Sequence, residues 1–130
     1  MAGSFTDYLE DKILNHVFTN TAYTSPTTVY VGLFTVAPTD VGGGTEVSGS
    51  GYARKSAAFT VSGTGTLATN SAAIEFDAAT GSWGTIVAIA VFDASTSGNM
   101  LAFADLTTSK TIASGDVLRI PTGDLDITLS

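Results

Sequence analysis

The stretch "GTEVSGSGYARK", Gly44 to Lys55, gathers the residues most open to chemistry. It has glycines two apart, a tyrosine, and the only adjacent basic pair in the chain, Arg54 and Lys55. A glycine-rich run ending in cations can cradle phosphate when its backbone amides converge and it opens a helix. A Walker loop needs four residues between its glycines and then Gly-Lys-Ser/Thr. Here the run enters "YARKSAAFTVS", a segment of strand character, and no Gly-Lys pair occurs. The dinucleotide fingerprint fails too, because it needs a strand before the glycines and a helix after them. The run therefore reads as a surface loop leading into a strand. Arg54 and Lys55, being adjacent on that strand, point to opposite faces. In an acidic chain they are natural contacts for an acidic neighbour.

Other constellations are sparse. His16 is the only histidine, and a nucleophilic triad needs three converging partners. Asp124 and Asp126 share a strand face, as do Glu75 and Asp77, so paired carboxylates are available for glycoside hydrolysis or calcium. The spacing of a calcium loop is missing, and these acids read as solvated strand ends, with a divalent-ion site at a subunit junction left open. Trp83, in the turn "TGSWG", and Tyr52 are candidate contacts for carbohydrate or protein if exposed; otherwise Trp83 plugs one end of the core. The absence of cysteine removes disulfides and thiolate metal sites. No catalytic, cofactor-binding or metal-binding residue is assigned, and no cofactor is expected.

Composition narrows the class. A length of 130 residues fits one domain, 1–130, with a sizeable core. The net charge of −7, with five Lys and Arg, argues against a nucleic-acid partner. Charged residues make up 13% of the chain, well below the usual quarter. Small residues replace them, a balance suited to surfaces covered by neighbouring subunits. The N-terminal segment has early acids and no basic flank or continuous apolar run, so no targeting segment is expected. The longest apolar run, "GTIVAIAVF", is short of the ~20 residues of a membrane span.

The elements that position these residues follow from periodicity. Residues 1–20 hold an amphipathic helix from about Ser4 to Val17, with Ser4 as N-cap and Asp7 completing an acidic capping box. Its apolar face, Phe5, Leu9, Ile13 and Val17, should be buried on the rest of the fold or on a partner. From 27 to 130 the period changes to two. "TTVYVGLFTV", "YARKSAAFTVS", "TLATNSAAIEF", "TIVAIAVFDA", "MLAFADL", "DVLRIP" and "LDITL" read as strands separated by turn signals. "TIVAIAVFDA" is apolar on both parities and is expected as a central strand. The pattern predicts a mainly β fold, an antiparallel β-sandwich of jelly-roll or Ig-like type with one N-terminal helix.

Two stretches, "TEVSGSGYARKSAAFTV" and "ATGSWGTIVAIAVFDA", carry a likeness, set between "FTDYLEDKILNHVF", "TVYVGLFTVAPTD" and the ending "SGDVLRIPTGDLDITLS". The whole chain resembles a family of small virion proteins of tailed bacteriophages, commonly labelled phage tail fibre proteins and including capsid decoration proteins. The resemblance implies a non-enzymatic structural protein, made in the host bacterial cytoplasm and built into the virion. The reading taken first is a decoration or cement protein on the outer head surface, bound to the major capsid protein as a homo-oligomer such as a trimer. The alternatives are a tail component (tube, baseplate or fibre) and a host carbohydrate-binding module using Trp83 and Tyr52. Partner contacts are expected at Phe5, Leu9, Ile13, Val17, Arg54, Lys55 and Trp83, with no nucleic acid and no membrane as partner.

Overall fold

The computed structural model describes residues 1–129. The chain opens with a strand, not with the helix. Ala2–Phe5 form β1, and Asp7–Phe18 form the helix α1. Ser4, expected as N-cap, lies inside β1. Thr6 takes that role, with extended backbone and a side chain that accepts from the Leu9 N–H at 3.5 Å. Phe5 is therefore a strand residue and does not belong to the helical face. The amphipathic pattern allowed either start; pairing with distant strands decides it.

Those partners are β9 (Met100–Ile112) and β11 (Asp126–Thr128). β1 runs antiparallel to β9 and parallel to β11. Gly3 is needed there, since a Cβ would collide with the Phe103 carbonyl oxygen. Thr6, buried, donates its N–H to Leu101 O at 2.9 Å and its hydroxyl to Met100 O at 2.7 Å. The first turn of α1 is thus bolted to β9. The helix stops where Thr19 donates to the Asn15 carbonyl and Asn20 takes φ 56°, a left-handed conformation that Asn tolerates.

The remaining elements are β2 (Val29–Val36), β3 (Thr45–Glu46), β4 (Lys55–Ala57), β5 (Phe59–Val61), β6 (Leu67–Asn70), β7 (Ile74–Glu75), β8 (Gly84–Phe92) and β10 (Arg119–Ile120). The large sheet has the order β3-β2-β8-β9-β1-β11-β6-β5, and β7 pairs with β10 in a small second sheet. The fold is mainly β and sandwich-like, as the periodicity implies. It is mixed where a purely antiparallel sheet was expected, because β1 enters between β9 and β11 and runs parallel to β11.

Sandwich closure comes from one bent segment. β4 pairs with β2, whereas β5, one residue further on, pairs with β6 near the other end of the sheet. The bend at Ala58 therefore ties the two ends of the strand order around the core. β8 is the central strand anticipated from its composition: Ile86 and Ala88–Phe92 are buried between β2 and β9. Side chains such as Leu33, Phe76, Trp83, Ile89 and Leu125 fill one apolar cluster, and Phe34, Ala88, Ala90 and Phe92 form a second. The run "TLATNSAAIEF" breaks into β6 and β7 at Asn70. Its side chain, fully buried, donates to Ala72 O and Pro121 O and accepts from Leu125 N.

Candidate functional site

The glycine-rich loop that prompted a phosphate hypothesis is a packed joint. Glu46, on β3, receives both prongs of the Arg54 guanidinium, Nε and Nη2 each at 2.8 Å. The Tyr52 hydroxyl donates to the same carboxylate at 2.6 Å and accepts from the Leu33 N–H at 2.9 Å. Arg54 Nη1 donates to the carbonyls of Ala94 and Ser97 at 3.0 and 2.8 Å. The guanidinium carbon lies 3.5 Å from the centroid of Phe92, a cation–π arrangement. The network joins β2, β3, the glycine loop and the turn after β8. Gly32 makes room for it: a Cβ there would stand 2.6 Å from Glu46 Oε2 and 3.0 Å from the Tyr52 hydroxyl.

Electrostatics fix the protonation of this network. Burial alone would raise the Glu46 carboxyl, but the hydrogen bonds from Arg54 and Tyr52 and the guanidinium charge outweigh it and hold the group below its ordinary value. Burial, reinforced by the bond to anionic Glu46, pushes the Tyr52 phenol far above its ordinary value. Glu46 is a quenched carboxylate and Tyr52 a permanent donor. Neither has the intermediate proton affinity that general acid–base work requires. The arrangement is a clamp.

The other expected contact residues do not converge on one site. Arg54 turns inward, with 8% of its side chain exposed, because its donors are committed within the chain; it offers no charge to a neighbour. Lys55 stays at the surface, paired with Asp77 at 2.9 Å. Trp83 is buried, donates from Nε1 to Ser50 O at 2.9 Å, and meets Tyr52 edge-on with centroids 5.4 Å apart. Trp83 is therefore not a surface platform for sugar, and Tyr52 is half-buried beneath the loop. Leu9 and Ile13 are half-buried, and α1 lies against β9 and β1. Val17 is 61% exposed, so the face expected to be covered is incomplete at its C-terminal end. Leu14 and Phe18 are exposed beside it, at 57% and 78%. A helical wheel drawn for the outward face would have found this pair, since Leu14 and Phe18 lie roughly opposite Leu9, with Val17 between the two sides.

The carboxylate pairs stay dispersed. Glu75 faces Arg119 at 3.8 Å and Asp77 is taken by Lys55. Among the described residues no three His, Asp or Glu side chains converge to hold a metal ion. His16 accepts the Tyr23 N–H on Nδ1 at 3.1 Å and so pins the segment after α1. An open groove of about 610 Å³ runs between the start of α1, the glycine loop and the turn before β9, with Asp7, Tyr8, Asp40, Arg54 and Asn99 on its walls.

The strongest polar cluster among the described residues, Glu46–Tyr52–Arg54, is spent within the chain as a clamp between loops of a mainly β fold. The sequence profile of the family described as Podophage GP4 fiber I protein gp80 matches residues 4–128. The chain belongs to that family. It is thus a virion protein of the phage tail fibre type, assembled in the host cell. No curated protein matches the sequence.

Proposed function

We propose that this protein is a non-enzymatic structural component of the tail side of a tailed-phage virion, built into a fibre or its attachment point. One observation carries this: the fibre-family match over residues 4–128. The clamp geometry supports it. The strongest polar cluster, Glu46–Tyr52–Arg54, is spent on holding loops rather than on meeting a substrate. The reading of an outer-head decoration protein drew on the family likeness together with low charge, and low charge serves any assembled subunit; the fibre-family match favours the tail. Carbohydrate binding through Trp83 loses its support with that side chain buried.

Localisation on intact particles tests the proposal. Gold-labelled antibody should mark the tail at low copy number; labelling spread over the head lattice would overturn it and restore the decoration reading. Sedimentation of the purified chain reads the homo-oligomer expected from 13% charged residues. A monomer at micromolar concentration removes self-association and leaves the tail assignment standing.

A further inference from the structure

The outward face of α1 is divided along its length. Asp7, Glu10 and Asp11 occupy it over the first turns, all exposed. Leu14, Val17 and Phe18 occupy the same face over the last turns, at 57%, 61% and 78% exposure. At 100° per residue all six fall within about a third of the helix circumference. Leu9 and Ile13, both half-buried, fall outside that sector, and α1 as a whole rests against β9 and β1. The acids alone would be accounted for by the helix dipole. Three large apolar side chains in one stripe, each more than half exposed at the end of the helix, are not.

We propose that this face docks into a different protein, one that offers an apolar groove with basic side chains along one end. Charge decides the kind of occupant. Arg54, Lys55 and Arg119 are engaged with Glu46, Asp77 and Glu75, and Lys12 lies over the Tyr8 ring. Among the described residues that leaves Lys110, on β9, as the one Lys or Arg without an acidic or aromatic partner. A second copy of this chain, at −7 net charge, has no basic surface to set against Asp7, Glu10 and Asp11. Like-charge contact would oppose such a pairing. A basic-rimmed groove meets both halves of the face at once, the apolar end supplying affinity and the acidic end fixing direction. The anchor residues sit at i, i+3 and i+4, the spacing by which a helix fills a groove. The inference rests on the structural reading above only in taking the partner to be another virion protein.

Photo-crosslinking in assembled particles tests it. A benzophenone-bearing phenylalanine analogue placed at Phe18 should give one dominant adduct with a different virion protein, at a segment containing Lys or Arg beside apolar residues. The same analogue at exposed Val117, on the far side of the chain sequence from α1, serves as control and should give no adduct at that segment. In parallel, Leu14→Ser/Phe18→Ser and Glu10→Lys/Asp11→Lys are incorporated into particles against wild type. Incorporation should fall at least tenfold for each pair, and for the charge pair the wild-type signal should also weaken as assembly salt is raised. All four positions are exposed, and melting of each variant verifies that folding is intact. The proposal is overturned if Phe18 crosslinks to another copy of this chain, if both double variants incorporate normally, or if zwitterionic vesicles bind the wild type and not Phe18→Ser, which would make the stripe a membrane contact. A head-side adduct at a basic groove would sink the tail assignment while leaving the docking face intact. Tail localisation with no α1 adduct would do the reverse.

Discussion

The guanidinium of Arg54 sits over the ring of Phe92, 3.5 Å from its centroid, while its two other edges hold Glu46 and the carbonyls of the turn after β8. One side chain thereby fixes a glycine-rich loop and a hairpin turn that have little apolar surface of their own. Removing it leaves Glu46 as an unpaired, half-buried carboxylate. Arg54→Ala should cost about 3–5 kcal/mol, the range for breaking a buried pair from one side. Arg54→Lys should recover only part of that, because a single ammonium cannot make the two-pronged contact. Arg119→Ala is the control. Its pair with Glu75 is long and exposed, and its loss should cost under about 1 kcal/mol. Urea denaturation of the three variants checks the order; equal midpoints for Arg54→Ala and Arg119→Ala would refute the clamp.

The same network sets a pH window. Glu46 has a folded pKa below its ordinary value of 4.5. Its contribution is therefore present above that value and is lost as pH falls through the lowered folded value. Tyr52 has a folded pKa raised above its ordinary value of 10.0. Its contribution is present below 10 and drains away as pH rises beyond it. Thermal melting followed from pH 3 to 11 should show a plateau between two declines. Tyr52→Phe should flatten the alkaline decline, and Glu46→Gln should soften the acid one. A Glu46→Gln variant with an unchanged acid limb would show that other carboxylates dominate there.

The central strand and the helix are legible in the sequence because each rests on a local period. β8 is apolar on both parities, and α1 repeats at three and four. What stays hidden depends on distant partners. Ala2–Phe5 has no strand signal of its own; pairing with β9 and β11 makes it one, and that shifts the helix start from Ser4 to Asp7. The inward turn of Arg54 is hidden for a similar reason. Alternation puts Arg54 and Lys55 on opposite faces, but only the fold shows that one of those faces is lined by Glu46 and Phe92. Asn70 looks like a strand residue in a polar run and becomes a buried hub through Pro121 and Leu125.

Trp83 offers a test that separates core from surface. Its indole is buried, bonded to Ser50 O, and edge-on to Tyr52, which in turn stacks near Phe76 at 6.3 Å. Trp83→Ala should cost about 3–5 kcal/mol, typical for deleting a large buried aromatic. Trp83→Phe should cost less, since it keeps most of the volume and loses the bond to the loop. Particle attachment by whatever Trp83→Ala protein remains folded should be close to normal. Normal melting with lost attachment would return Trp83 to the surface.

Asn70 holds the end of β6 to the turn before β11, and it does so without exposure to water. Asn70→Ala should leave the Leu125 N–H and two carbonyls without their partner, at about 2–4 kcal/mol. Amide exchange makes the site of damage visible. The Leu125 and Asp126 amides should lose protection together, while those of β8 keep theirs. Uniform loss across the sheet would mean that β11 is not a separable unit.

Among the glycines, Gly3 leaves the least room for a side chain, where β1 pairs with β9. A side chain there meets the Phe103 carbonyl and the Ala104 Cβ, the latter at 2.8 Å. Both belong to a strand held on its other side by β8, so neither can retreat without disturbing the central strand. Gly3→Val should therefore expel β1 or distort β9, at more than about 3 kcal/mol, above the usual range for overpacking because the obstacle is backbone. Expulsion of β1 would also loosen Thr6 and the start of α1, whose bonds to Met100 and Leu101 follow directly on from the strand. Helical circular dichroism should then decline along with stability. Gly63→Ala, placed where a Cβ meets nothing within 4 Å, is the matched control and should leave both unchanged. If Gly3→Val melts like wild type, β1 is not held between β9 and β11 in solution.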